Sequence, residues 1–233
     1  MQVPSGMHAQ DLTRQLVYLH GFASSPASSK ARWMAGRAAE AGWDFSCPDL
    51  NAPSFEDLAI SRMLDQVDAL LDDATTARVT LVGSSLGALV ALFAAAREQA
   101  RSPVRQRVDS LVLLAPAIDL VSSFEAQFGP VKLADWERTD RLEIFHYAEG
   151  AARTLRWRFL ADARRYDAGT LHPHVPTLVY QGRRDASVDA AGVERWAAAR
   201  PQVTLHLLDD DHQLLGSLDA MWTGIRAFVA GRP

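Results

Sequence analysis

Gly83-Ser84-Ser85-Leu86-Gly87 places a serine between two glycines at the spacing of a tight strand-to-helix turn. With Gly at ~7% of residues and Ser comparable, chance supplies such a match roughly 0.08 times in a chain of this length, so its setting decides. The apolar run Val79–Val82 leads straight into it, and the helical stretch Leu86–Ala96 follows. Strand, turn and helix in that order form the elbow that exposes a nucleophilic serine. The register makes Ser85 the nucleophile, because the strained turn projects its central residue. Gly83 and Gly87 leave room for strand and helix to pass closely, and Ser84 is assigned to packing. A glycine-rich turn without chemistry is the plain alternative.

A serine hydroxyl needs a base, and the base needs an orienting group. Two further strand ends supply them. Val179–Asp185 (VYQGRRD) puts a carboxylate just past one strand, and Leu207–His212 (LLDDDH) puts an imidazole after the last. Ser85, Asp185 and His212 therefore stand in the order Ser, Asp, His at one sheet edge, as general base and orienter require. Asp119, after the preceding strand, is the alternative acid. Asp189 suits a helix cap better, and His206 reads as a packed strand histidine. His146, His172 and His174 read as loop or helix-surface residues. Asp209–Asp211 reads as a solvated acidic loop, since three consecutive carboxylates cannot converge on one metal ion. Acyl transfer also needs oxyanion donors. The Leu86 N–H is one, and the loop His20-Gly21-Phe22 offers the Phe22 N–H as the other, with the Ala23 N–H as a substitute. His20 is expected to buttress that loop.

The elements that must position these residues follow a strand–helix rhythm. Strands are expected at Gln15–Leu19, Trp43–Cys47, Arg78–Val82, Val108–Leu114, Thr177–Tyr180 and Val203–Leu208. Helices are expected over Ser29–Ala41, Leu58–Asp72, Leu86–Arg97, Ala190–Ala199 and Leu218–Val229. Runs such as LVYL and VTLV are apolar on both faces, as in parallel strands covered on each side. Six such strands argue for an open, mainly parallel α/β sheet flanked by helices.

The stretch 119–174 breaks that rhythm. It carries eight aromatics and helical patterns over Leu142–Ala151 and Ala152–Ala168, with no convincing strand. It is expected to be a helical cap inserted into a single domain spanning 1–233, over the carboxyl edge where ligands bind in such sheets. Trp136 and Trp157 are its candidate substrate contacts. Two helices packed on the flank, with their aromatics as ordinary core, are the alternative.

Composition narrows the function classes. The 233 residues are 48% hydrophobic and 22% charged, with a formal charge of −4. That balance gives no electrostatic case for nucleic acid or an anionic membrane. The single cysteine, Cys47, excludes an internal disulfide and argues against a cysteine metal site. No metal or cofactor is expected. The longest apolar run, Leu111–Ile118, is far shorter than a membrane span. The Met1–Leu12 stretch lacks the apolar run of a signal peptide, so a cytoplasmic location is expected.

Taken together, Leu19–Phe22, Gly83–Gly87, Asp185 and His212 resemble the α/β-hydrolase superfamily. Tyr18–Pro26 (YLHGFASSP), followed by Ser28, Ser29, Lys30 and Ala31 and then by LVGSSLG, looks like the YqiA-like bacterial esterases over about the first 95 residues. The QGRRD segment and the closing Asp-His agree more loosely. The resemblance implies the α/β-hydrolase fold without the superfamily's first two strands, no cofactor, and a small-molecule acyl ester or thioester as substrate. The 119–174 segment, with Phe145-His146-Tyr147 and Arg158–Ala163, is similar to the cap of acyl-protein thioesterases. The expected reaction is ester or thioester cleavage by a serine hydrolase. An amidase or peptidase, or a hydrolase-shaped binding protein without turnover, are the rival readings.

Overall fold

Five buried or nearly buried residues, Gln15–Leu19, form β1, and their two faces enter different cores. A computed structural model describes residues 14–74, 78–101 and 106–230 of the chain; the Met1–Leu12 stretch lies outside them. Leu16 and Tyr18 join one apolar cluster and Val17 and Leu19 the other. This is the two-sided burial that a parallel sheet imposes.

The remaining elements follow in sequence: α1 (Ser29–Glu40), β2 (Asp44–Ser46), α2 (Ile60–Asp73), β3 (Val79–Ser84), α3 (Leu86–Arg101) and β4 (Val108–Leu114). Then come α4 (Leu120–Thr139), β5 (Leu142–His146), β6 (Ala151–Leu155) and α5 (Arg158–Ala163). β7 (Thr177–Gly182), α6 (Ala190–Ala198), β8 (Val203–Leu208) and α7 (Leu218–Ala230) close the chain. The main sheet has six parallel strands in the order β2-β1-β3-β4-β7-β8. The chain runs outward from β1 to β2 and then crosses to β3 on the other side. The carboxyl ends of β1 and β3 therefore flank a switch point, where loops diverge and leave a crevice.

Two helices have side-chain caps at their starts. Ser28 caps α1 by accepting from the Ala31 N–H, and Gly42 stands just beyond its end at φ +71°. Asp189 caps α6 through the Ala191 N–H, as expected. The face packed by α1 and α7 holds Met34, Val82, Val112, Met221 and Ile225. The opposite face packs Leu81, Leu111 and Val179 under α2, α3 and α6.

The segment between β4 and β7 differs from expectation. Leu142–Ala151 was expected to be helical, yet Leu142–His146 and Ala151–Leu155 pair as an antiparallel hairpin. Leu142 and His146 are buried while Glu143 and Phe145 are exposed, a period of two that the alanines at 151 and 152 obscure. A long helix, α4, precedes the hairpin and is broken at Gly129 (φ +69°, ψ 166°) before Pro130. That break interrupts the periodicity by which the helix could be read. Of the expected helix over Ala152–Ala168, the first four residues lie in β6, and the rest holds only α5 and the start of a 3-10 turn at Ala168–Thr170.

Candidate active site

Ser85 lies on the turn between β3 and α3 with φ +53°, a left-handed conformation that a non-glycine residue adopts only when its surroundings over-determine it. Those surroundings are visible. The Ser85 N–H donates to the Leu114 carbonyl at 2.9 Å, and its carbonyl accepts from the Ala88 and Ala117 N–H groups. A Cβ at Gly83 would meet the Gly87 carbonyl at 2.3 Å, and one at Gly87 would meet the Leu19 carbonyl at 2.0 Å. Only hydrogen at these two positions lets α3 start this close to the end of β1.

That closeness brings the His20–Phe22 loop beside the turn. A Cβ on Gly21 would stand 3.4 Å from the Ser85 Cβ. His20 is buried, and the Leu50 N–H donates to its Nε2 at 3.0 Å. The ring hydrogen must then sit on Nδ1, which donates to the Gly21 carbonyl at 3.0 Å. Burial lowers the His20 pKa and favours this neutral form. A trans peptide directs its carbonyl and N–H oppositely, so the bond that holds Gly21 C=O also turns the Phe22 N–H away from His20. The Phe22 ring packs on Phe55, Phe124 and Phe159 at 5.4–5.5 Å between centroids. Leu86 opens α3, in the first turn whose N–H groups have no intrahelical acceptor.

Asp185 and His212 come together two strands away. His212 Nδ1 lies 2.8 Å from Asp185 Oδ2. The Asp185 side chain is wholly buried and also accepts from Gln181 Nε2 and from the Ser187 and Val188 N–H groups. Burial alone would raise its pKa. The bonds from His212, Val188 and Gln181 outweigh burial and hold it below the usual carboxylate range. An ionised Asp185 keeps the imidazole hydrogen on Nδ1 and leaves the Nε2 lone pair as the basic one.

The two loops are locked to each other. The Arg183 N–H donates to the Leu208 carbonyl and the Arg184 N–H to that of Asp210. The Arg184 guanidinium donates to the Asp209 carbonyl and pairs with its carboxylate at 3.3 Å. Arg184 thus serves as a loop clamp. Asp210 departs from the solvated loop expected there: it is buried and accepts from Ser217 Oγ at 2.7 Å.

The other sequence candidates are dispersed. Asp119 stands at the start of α4, and the histidine hydrogen bond goes to Asp185 instead. His206 is exposed on β8 and stacks on Tyr180. His146 is buried within the hairpin, edge-on to Phe55, and is neither a loop nor a surface residue. Trp136 is fully buried with its indole N–H on the Leu155 carbonyl, and Phe124 stands between it and Phe22. Trp157 is half-buried against Trp136, with the Arg164 guanidinium over its ring.

Two residues that touch this site stand in the sequence only as members of the resemblance motifs, with no contact foreseen for either. Gln181 braces Asp185 from within β7. Lys30 donates to Ser84 Oγ at 3.0 Å from α1. Lysine early in a helix gave no signal that its side chain turns inward. Among the described residues no group of His, Cys, Asp or Glu is placed to hold a metal ion, and no helix is long and apolar enough to cross a membrane.

A model of the uncharacterised protein family UPF0227 matches residues 15–229. Among solved structures, a candidate hydrolase from Agrobacterium vitis S4 is 28% identical, with 95% of this chain and 90% of that one covered at a TM-score of 0.84. Est1E from Butyrivibrio proteoclasticus, bound to ferulic acid, is 18% identical over 94% of this chain and 88% of its own, at 0.77. Mouse alpha/beta hydrolase domain-containing protein 10 is 20% identical over 93% and 90%, at 0.76. These likenesses identify the α/β-hydrolase fold. No curated protein matches the chain.

Proposed function

The chain belongs to family UPF0227, the YqiA-like group with the α/β-hydrolase fold, and from that premise we propose that it is a serine hydrolase of carboxylic esters. The observation that carries this reading is a strained Ser85 at the same sheet edge as a hydrogen-bonded His212–Asp185 pair.

In the proposed reaction, Ser85 Oγ attacks the acyl carbonyl as His212 Nε2 takes its proton. Asp185, ionised and immobile, stabilises the imidazolium through Nδ1–H. The Phe22 and Leu86 N–H groups bind the oxyanion. The tetrahedral intermediate collapses, the leaving alcohol takes the proton from His212, and an acyl-Ser85 remains. Water, deprotonated by His212, attacks that acyl group, and the second tetrahedral intermediate collapses as Ser85 Oγ takes the proton back from His212 and the carboxylic acid is released.

The 119–174 segment is proposed to cap this site within a single domain. The rings of Phe55 and Phe124, packed on Phe22 with Phe159 buried beneath them, are proposed to supply the apolar side of the acyl site, which suits an apolar or aromatic acyl group. The ferulic acid bound by Est1E is of that class. Trp157 is proposed to stand at the rim of the acyl site, with Trp136 shaping the wall from behind. Thioesters remain substrates of the same machinery, whereas nothing in the site favours an extended peptide.

Hydrolysis of p-nitrophenyl esters of increasing acyl length tests this reading. Turnover that vanishes in Ser85→Ala and in His212→Ala supports it. Folded wild-type protein that hydrolyses no ester or thioester in the series contradicts it.

A further inference from the structure

Lys30 lies in the first turn of α1, 7% exposed, with Nζ 3.0 Å from Ser84 Oγ. Ser84 ends β3 and immediately precedes Ser85. Its side chain follows Val82 by two positions and so faces α1 and α7, behind the reacting surface. The Tyr18 phenol lies beside the same Ser84, within reach of its hydroxyl. A three-membered polar knot, from β1, α1 and β3, thus sits directly under the elbow in an otherwise apolar layer.

Stability does not account for the ammonium. Burial disfavours its charge, and the first turn of a helix, with its positive end, disfavours a cation. Methionine would fill the space without either penalty. The carboxylates that act on Lys30 are Asp185, Asp210 and Asp211, from the loops that carry the acid and the histidine of the proposed triad. The ammonium is therefore hydrogen-bonded to the serine turn and attracted by the other two loops of the same site. A lysine beside a serine also matches a Ser–Lys nucleophilic pair. Ser84, however, is 6% exposed on the covered face, out of reach of an acyl group.

We infer that Lys30 is a positioning residue: its ammonium, anchored on Ser84, holds the backbone of the Ser85 turn in register with the Asp185 and His212 loops. This rests on the serine-hydrolase reading above. The dependence on charge gives it a pH signature. Burial pushes Lys30 down to about 8. The neighbouring Tyr18 and Cys47 are pushed up by burial, Cys47 to about 12. Asp185 and Asp210 are held below the usual carboxylate range, against burial, by hydrogen bonds from His212 and Ser217 respectively. Lys30 is thus the group of this cluster that changes charge as pH rises through 8.

The test is the rate of covalent labelling by a fluorophosphonate, measured on the folded fraction of wild type, Lys30→Met, Ser84→Ala and the double variant across neutral to alkaline pH. Labelling roughly tenfold slower in each single variant is expected, the equivalent of one charged hydrogen bond acting on the reacting geometry. The double variant should be no slower than Lys30→Met, and the alkaline fall of wild type should be absent from it. A Lys30→Met protein that labels at the wild-type rate with the wild-type pH profile overturns the inference while leaving the hydrolase reading intact. Wild type that neither labels nor cleaves esters overturns both. A merely structural Lys30 would change melting temperature and leave the rate per folded molecule and its pH profile unmoved.

Discussion

Replacing Lys30 with methionine is expected to stabilise the fold near neutral pH even as it slows the chemistry. The magnitude comes from the ionisation of the buried amine. Its pKa falls from 10.5 to about 8, chiefly through desolvation, with the surrounding carboxylates offsetting only part of that. At ~1.4 kcal/mol per pH unit, keeping the charge in the folded state costs about 3 kcal/mol below pH 8. Methionine removes that cost and loses the hydrogen bond to Ser84, worth about 2 kcal/mol because its donor is charged. The Tyr18 phenol still lies beside the Ser84 hydroxyl. The net gain near pH 7 is about 1 kcal/mol. A lysine whose pKa is lower folded than unfolded makes the fold more stable as pH rises, because the unfolded chain holds the proton longer. The advantage of Lys30→Met should therefore be full below about 8 and shrink towards 10.5, where both states are neutral. Urea denaturation of both proteins near pH 7 and near pH 10 reads this directly. A methionine variant that is less stable near pH 7, or whose difference from wild type does not change with pH, refutes the reasoning.

Gly87→Ala puts a methyl group 2.0 Å from the Leu19 carbonyl and should destabilise by about 1–3 kcal/mol as backbone gives way. It should also lower esterase activity by displacing the Phe22 loop. Gly36→Ala in α1, where a Cβ meets nothing within 4 Å, should be neutral or stabilising by up to about 1 kcal/mol; melting temperatures of the pair check both. Asp185→Asn keeps the shape but forces the wrong imidazole tautomer, so ester turnover should fall about 10⁴-fold with KM little changed. Because the Asp185 pKa is lowered on folding, its stabilising contribution is present above the ordinary carboxylate pKa and lost as pH falls. Acid denaturation midpoints of the two proteins should show the asparagine variant less sensitive to that fall.

Much of this architecture was legible in the residues. The main-sheet strands and five flanking helices follow from apolar runs and helical spacing, because strands buried on both faces carry a strong pattern. Gly83, Ser85 and Gly87 were readable because the turn's sterics allow few other residues, and Asp185 and His212 because they end strands of one sheet. The hairpin at Leu142–Leu155 was not legible. Only one of its faces is buried, and Ala151-Ala152 mimics a helix. The break at Gly129-Pro130 hid α4 in the same way. Lys30 reaches Ser84 from a different element, 54 residues away, whereas Gln181 meets Asp185 only 4 residues on, at the end of its own strand. Sequence spacing does not encode which way a lysine turns. The aromatic richness of 119–174 was visible, but not that Trp136 would lie behind Phe124 with its indole bound to backbone.

An activated Ser85 reacts covalently with an electrophile that mimics the acyl transition state. Exposing the folded protein to a fluorophosphonate and mapping the adduct by peptide mass spectrometry tests it most directly. One adduct per chain is expected, on Ser85, formed in wild type, absent from Ser85→Ala and severely slowed in His212→Ala. An adduct on another residue, or a folded wild-type protein that stays unmodified, would contradict it.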